Sequence, residues 1–229
     1  MPVGIITGAS RGLGLALARA LAADGWRLVI DGRGAEELER AVTELRERGG
    51  ELTALAGDVA SDWHRRGLVA AAGEHIDLLV NNASVLGPSP QPPLAAYPLS
   101  ELEHVYRVNV FAPLALAQLA LPRLAEQAAI INVTSDAAVE PYQGWGGYGS
   151  SKAALNQVTA VLAVEQPQLR VYALDPGDMR TQMHQEAFPG EDISDRPPPE
   201  RSIPALLELI DGDRASGRYR AADLLGAHT

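Results

Sequence analysis

Cysteine is absent from this chain of 229 residues. That absence excludes disulfides, thiol nucleophiles, Cys-ligated zinc and iron–sulfur centres. Cations are scarce: Lys and Arg number 19 against 29 Asp and Glu, for a net charge of −10 and a pI near 4.9. A surface of that sign repels nucleic acid and anionic lipid, so neither is expected as a partner. No run approaches the ~18 uninterrupted apolar residues of a membrane span. The chain opens on an apolar strand pattern with no basic leader, and a cytoplasmic location is the expectation. The five His residues (64, 75, 104, 184 and 228) show no metal-ligand spacing, so no metal is expected.

What is present is apolar residue in quantity, 46% of the chain. That suffices for a single domain over 1–229 with a sizeable core. Short apolar runs alternate with longer helical patterns. Strands are expected at Val3–Thr7, Arg27–Asp31, Leu52–Ala56, Asp77–Val80, Ala129–Thr134 and Leu169–Leu174. Helices are expected at Gly12–Ala23, Ala35–Arg48, Ser61–Ala72, Leu99–Glu126 and Tyr148–Glu165. The alternation predicts an α/β fold: a doubly wound Rossmann-type parallel sheet of about seven strands, with helices on both faces in three layers. Residues 178–200 mix Met, His, Phe, acids and prolines and read as a mobile substrate flap. Ser202–Ile210 reads as a helix and Gly217–Arg220 as a last edge strand.

Two helices are apolar all round. Leu102, Val105, Val108, Phe111, Leu114, Leu116, Leu119 and Leu121 cannot all face one sheet. Neither can Ala153, Leu155, Val158, Val161, Leu162 and Val164. A helix apolar on every side is buried on every side. The regions 100–126 and 148–165 are therefore expected to form the interface of a homodimer or homotetramer.

Two motifs carry chemistry. After the first strand comes Thr7-Gly8-Ala9-Ser10-Arg11-Gly12-Leu13-Gly14, opening into a helix. Glycines there permit a tight turn and close approach to a pyrophosphate, whose charge the helix N-terminus favours. Farther on, Tyr148 and Lys152 share one face of a helix. A neighbouring cation favours phenolate, so the pair is expected to be a proton donor and acceptor tuned toward neutral pH.

Together these motifs resemble the short-chain dehydrogenase/reductase family, and other signatures agree in order and spacing. Asp58-Val59 follows the third strand, where the family holds adenine. Asn81-Asn82-Ala83 ends the fourth, Asn109 lies in Val108-Asn109-Val110, Ser135 follows the fifth, and Pro176-Gly177 follows the sixth. The resemblance covers essentially the whole chain except the flap. It implies a nicotinamide cofactor on Gly8, Ser10, Arg11, Gly12, Leu13, Gly14, Asp58, Val59, Asn82, Ala83, Pro176, Gly177, Met179 and Thr181, with Tyr148 and Lys152 at the nicotinamide end. By the family's spacing, the usual acid that marks NAD falls on Gly32, and the next residue is Arg33, where NADP-preferring members often carry a cation. Asp31 then points to the opposite side of the strand. NADP(H) is the expected cofactor, with Arg33 as its phosphate partner and Arg11 a weaker one.

The resemblance also implies a division of labour. Tyr148 is the general acid/base, Lys152 lowers its pKa and holds the ribose, and Ser135 stabilises the substrate oxygen. Asn109 supports a water-linked proton path behind Lys152, and Thr181 bonds the carboxamide. Taken singly, each also has an ordinary structural reading: a helix-start aromatic, a surface cation, a turn cap, a buried amide. Ser84 stands where the family more often has glycine. The walls expected for the substrate, Val85, Leu86, Tyr142, Trp145, Met183 and Phe188, are mostly apolar. His184 reads as a solvated loop residue, with contact to substrate as the alternative, and Arg180 lies near without forming a clear anion clamp. The expected activity is hydride transfer between NADP(H) and a small or medium, largely uncharged carbonyl or alcohol, with a faint likeness to the sepiapterin and benzil reductase branch. The alternatives are a catalytically silent NADP(H) sensor and a dehydratase or epimerase of the same family.

Overall fold

The strand segments are apolar on both faces because helices cover both faces. In the computed structural model, which describes residues 1–226 and so leaves His228 outside, they form one seven-stranded sheet. The strands are β1 (Val3–Ile6), β2 (Arg27–Gly32), β3 (Glu51–Ala56), β4 (Ile76–Asn81), β5 (Leu124–Val133), β6 (Arg170–Asp175) and β7 (Gly217–Arg220). Their order is β3-β2-β1-β4-β5-β6-β7, with every pair parallel. The order reverses between β1 and β4, which opens a crevice at the carboxyl ends of those strands.

Side chains alternate across the sheet. Ile6, Leu78, Val80 and Ile131 pack on one face against α1 (Gly12–Ala23), α2 (Ala35–Glu47) and two later helices, α8 (Ile203–Asp211) and α9 (Ala221–Gly226). Val3, Ile5, Leu79 and Ile130 pack on the other against α3 (Asp62–Ala72), α5 (Ala112–Ala120) and α6 (Gly146–Glu165). The three-layer doubly wound fold expected from the sequence is the one observed.

The helical region expected over Leu99–Glu126 is observed as one run from Leu99 to Arg123 that changes its winding along the way. It consists of α4 (Leu99–Tyr106), a wide π turn over Arg107–Phe111, α5, and a 3-10 turn over Leu121–Arg123. Pro122 sits in that last turn, where it cannot extend the helix. The strand then begins at Leu124, ahead of the expected Ala129: Leu124 pairs with Ile76, the register slips, and pairing resumes at Ala129 with Leu78. Gln127, with φ of 61°, turns the chain inside this slip. By length and composition Leu99–Arg123 could cross a membrane, and half of its most apolar window is buried inside the fold.

All-round burial of the two apolar helices also fails within one chain. Phe111 is 57% exposed and Val164 81%. The segment 178–200, read as loop, contains α7 (Gln182–Ala187), whose first turn is capped by Thr181 Oγ1 accepting from the His184 N–H at 3.3 Å.

Candidate active site

The glycine turn is braced against the end of β4. Thr7 Oγ1 accepts the N–H groups of Asn82 and Ala83, each at 3.0 Å. The Asn82 amide returns to the carbonyls of Thr7 (2.8 Å) and Gly8 (3.0 Å). Gly8 has a φ of +66°, and a Cβ on it would lie 2.9 Å from the Ala83 Cα. A side chain on Gly14 would lie 2.6 Å from Asn82 Nδ2 and from the Gly8 carbonyl. The turn therefore needs glycine for close packing as well as for its backbone angles.

Above the turn lies a cavity of about 1160 Å³ that runs from Arg33 and Asp58 at one end to Ser135, Tyr148 and the α7 segment at the other. It exceeds the ~300–1,000 Å³ of an ordinary small-molecule pocket. The expected cofactor residues line it, with one exception: Gly14 lies behind the wall, and its part is packing α1 onto the turn. A glycine cradle with no room for a side chain, continuous with a long cleft, fits a dinucleotide.

The adenosine end shows how the β2 residues divide. Asp31 is buried inside the protein. Its Oδ1 accepts the Gly8 N–H at 2.6 Å, and its Oδ2 meets His64 Nε2 at 2.9 Å. It thus holds the turn from the cleft wall, with both carboxylate oxygens engaged. Gly32 has no room for an acid, because a Cβ there would lie 2.8 Å from the Ser10 Cβ. Arg33 is exposed at the rim and makes no ion pair among the described residues. Arg11, in contrast, is bridged to Glu37 at 3.1 Å. Asp58 Oδ1 accepts the Ala60 N–H at 2.8 Å and shapes the turn that exposes Val59 to the cleft.

At the other end, Tyr148 and Lys152 rise from the first turns of α6 and are both buried. Lys152 Nζ donates to the Val133 carbonyl at 2.8 Å and sits 5.5 Å from the Tyr148 ring centre. Ser135 starts a short 3-10 turn, donating to Asp136 Oδ1 at 2.8 Å and accepting the Ala137 N–H at 3.2 Å. Pro176 and Gly177 turn the chain after β6, with the Gly177 N–H on Asp175 Oδ1 at 3.0 Å. Thr181 Cγ2 lies 3.7 Å from where a Gly12 Cβ would stand, which closes the middle of the cleft.

One expectation is corrected here and a second is narrowed. In the free chain, Lys152 does not lower the Tyr148 pKa. Burial raises the phenol well above its ordinary value of 10.0, and Asp175 and Asp136 add to that; the Ser84 and Ser135 hydroxyls pull the other way. Burial likewise brings Lys152 down from 10.5 to about 7. Asn109, for its part, does not reach the cavity and is fully buried in the π turn. Its Oδ1 accepts from Ser84 Oγ (3.1 Å) and the Val85 N–H (2.9 Å), while its Nδ2 donates to the Val85 carbonyl (2.9 Å) and Ser151 Oγ (3.0 Å). Both lone pairs and both hydrogens of that side-chain amide are occupied, so a water-linked path at this residue would have to use its backbone carbonyl.

Val85, Leu86, Trp145 and Met183 line the substrate end as expected. Tyr142 and Phe188 do not; they pack edgewise or tilted on Trp145, at 6.4 and 5.8 Å. His184 is partly buried at the cavity wall, with its ring 4.9 Å from Phe188, so it is not a solvated loop residue. Arg180 is exposed and reaches the Ser194 carbonyl at 3.3 Å. Asp136 was missed by the sequence reading. Burial works against its charge, yet hydrogen bonds from Ser135, Tyr142 and Ala137 outweigh it and hold the carboxyl below its usual range. Its position directly after Ser135 was the available signal. Ser84 was seen as a departure, but its contacts were not foreseeable.

The sequence matches the family described as short chain dehydrogenase over residues 2–192. Sepiapterin reductase of Rattus norvegicus is 32% identical over 201 residues, covering 80% of this chain and 76% of that protein. A short chain dehydrogenase from Salmonella enterica serovar Typhi superposes with a TM-score of 0.88 at 28% identity, covering 96% of this chain and 95% of the other. A Shigella flexneri 2a protein assigned as a short chain dehydrogenase, solved in complex with NADP, gives a TM-score of 0.89 at 28% identity, covering 96% and 97%. Matched by the family over most of its length and by solved members over nearly all of it, the chain belongs to the short-chain dehydrogenase/reductase family of oxidoreductases.

Proposed function

We propose that the protein is an NADP(H)-dependent carbonyl reductase or alcohol dehydrogenase, acting on a small or medium, largely uncharged substrate with Tyr148 as general acid/base. The observation that carries this reading is the Tyr148 phenol, buried at the wall of the cleft that the glycine turn opens, with Ser135 and Lys152 lining the same cleft. When bound, the nicotinamide supplies or accepts the hydride. Tyr148 gives its phenolic proton to the carbonyl oxygen, or takes one from the alcohol in reverse. Ser135 offers its hydroxyl to the same oxygen as charge develops there. Lys152 has donors to spare beyond its bond to Val133, and they serve the ribose hydroxyls. Arg33, unpaired at the rim, supports NADP(H), as does the lack of an acid at position 32.

The test is a panel of aldehydes, ketones and diketones, including pterin-like side chains, followed by NADPH absorbance with an NADH control. Oxidation of NADPH with at least one carbonyl is the expected result, and its absence across the panel would sink the reading. The apolar lining of Val85, Leu86, Trp145 and Met183 supports uncharged substrates, and the sepiapterin reductases among the relatives support the diketone arm. A homodimer or homotetramer through 100–126 and 148–165 is part of the same reading. Phe111, Val161 and Val164, exposed in one chain, support it. Light scattering on a size-exclusion column is expected to give a dimer or tetramer mass; a monomer at tens of micromolar would refute it.

A further inference from the structure

Val29 and Asp31 point from β2 toward the face that α3 covers, since Leu28 and Ile30 take the other. Val29 meets the apolar core there, and Asp31, two residues on, stands at the strand end where the cleft begins. Its carboxylate is held on both oxygens, by the Gly8 N–H at 2.6 Å and by His64 Nε2 at 2.9 Å. Its backbone carbonyl accepts the Ala9 N–H at 2.9 Å. One residue therefore fixes two consecutive amides of the glycine turn. His64, near the start of α3, is the one side chain among the described residues that bonds to it.

His64 is buried and does not reach the cleft. Its ring lies against the backbone of Gly57, where a Cβ would stand 2.6 Å from His64 Cε1. The missing side chain at 57 makes the room that the imidazole occupies. Gly57 itself lines the cleft, with its N–H on the Gly32 carbonyl at 3.0 Å. The second ring nitrogen, Nδ1, is buried with no partner among the described residues. A hydrogen on it would be a buried donor without an acceptor, so Nδ1 carries the lone pair and Nε2 the hydrogen. A proton relay through the ring needs a partner on both nitrogens. The imidazole is left with one polar task, which is to donate to Asp31.

We propose that His64 is a positioning residue for the dinucleotide, which sets cofactor affinity from behind the cleft by locking the Asp31 carboxylate onto the Gly8 N–H. The inference rests on the reading that the cleft holds NADP(H). Without the imidazole, Asp31 Oδ2 is a buried carboxylate oxygen with no donor, and the side chain moves to find one. The Gly8 N–H then loses its fixed acceptor. The turn has to be ordered by the arriving pyrophosphate instead of standing ready for it, and that ordering is subtracted from affinity. The reacting end is untouched, because Ser135, Tyr148 and Lys152 line the opposite end of the cleft.

The test compares wild type with His64→Met, which fills the space without a donor, and His64→Gln, whose amide can still donate to Asp31 Oδ2. In cofactor-free protein, NMR reads the hydrogen-exchange rate of the Gly8 amide against that of Ile5 in β1; a general loss of stability moves both, and loss of the carboxylate moves Gly8 alone. His64→Met is expected to speed Gly8 exchange about tenfold relative to Ile5 and to weaken NADPH about tenfold in a fluorescence titration, with kcat at saturating NADPH within about twofold of wild type. His64→Gln is expected to restore both readings. His64→Asn, whose amide ends one bond short of Asp31, gives the His64→Met readings should that variant not fold. A His64→Met protein that melts earlier but keeps the wild-type Gly8-to-Ile5 ratio and NADPH affinity would overturn the proposal, as would a His64→Gln protein as weak as His64→Met. A wild type that binds neither NADPH nor NADH would instead overturn the cofactor reading beneath it.

Discussion

Tyr148→Phe is expected to lower kcat for carbonyl reduction by about 10³-fold while leaving the Kd for NADPH within about twofold of wild type. The substitution removes one oxygen and keeps the ring. That ring is what the fold uses: it packs edge-on to Trp145 at 5.8 Å and clusters with Leu86 and Ala137. The cofactor contacts of the glycine turn stand at the far end of the cleft, so binding should survive. A positioned general acid contributes about 10²–10⁴-fold, and Ser135 remains to stabilise the substrate oxygen, which keeps the loss within that range. Burial raises the phenol's pKa, so it holds its proton throughout the neutral range, the form that reduction requires. Steady-state kinetics with a fluorescence titration of NADPH separates the two quantities. A silent NADP(H) sensor would show no turnover to lose, and full activity in the variant would remove Tyr148 from the mechanism.

Arg33→Asp is expected to weaken NADPH about 100-fold while leaving NADH within about threefold of its starting value. On the proposed reading, the change would replace a charge-assisted bond to the 2′-phosphate with like-charge repulsion. The first alone contributes about 1.5–3 kcal/mol, and each 1.4 kcal/mol is tenfold. Arg33 is exposed at the rim, so the fold should not register the substitution. Arg11→Ala serves as the comparison, with a smaller expected loss because Arg11 is already bridged to Glu37 at 3.1 Å. Fluorescence titrations with both cofactors read the ratio. Unchanged NADPH affinity in Arg33→Asp would refute the assignment.

Much of the fold was legible because its elements obey simple periodicities. Continuous apolar strands such as Leu28–Ile30 and a glycine turn opening into a helix carry their own signals. The switch from helix to strand at Leu124 did not, because Leu119 through Ile131 offers little polar punctuation beyond Pro122, Arg123, Glu126 and Gln127. There the choice between helix and strand was made by pairing with Ile76 and Leu78, which lie far away in sequence. The identities of Tyr148 and Lys152 were readable, but the direction of their pKa shifts was not. Spacing shows which groups are neighbours; desolvation appears only once the fold has enclosed them. Asn109 is similar. Its place in the chain was plain, but its saturation by Ser84, Val85 and Ser151 required three segments to converge.

The crowding of Gly32 against Ser10 bears on how this chain's cofactor preference could drift over generations. An acid at position 32, the family's usual mark of NAD, brings a Cβ to within 2.8 Å of the Ser10 Cβ, inside the turn that carries the pyrophosphate. The neighbouring acid cannot substitute for it, since Asp31 is committed to Gly8 and His64. A lineage would need glycine at 10 before an acid at 32 became tolerable, since any other residue keeps the Cβ that the acid would meet. An acid at position 32 is thus blocked by a steric contact within the glycine turn itself.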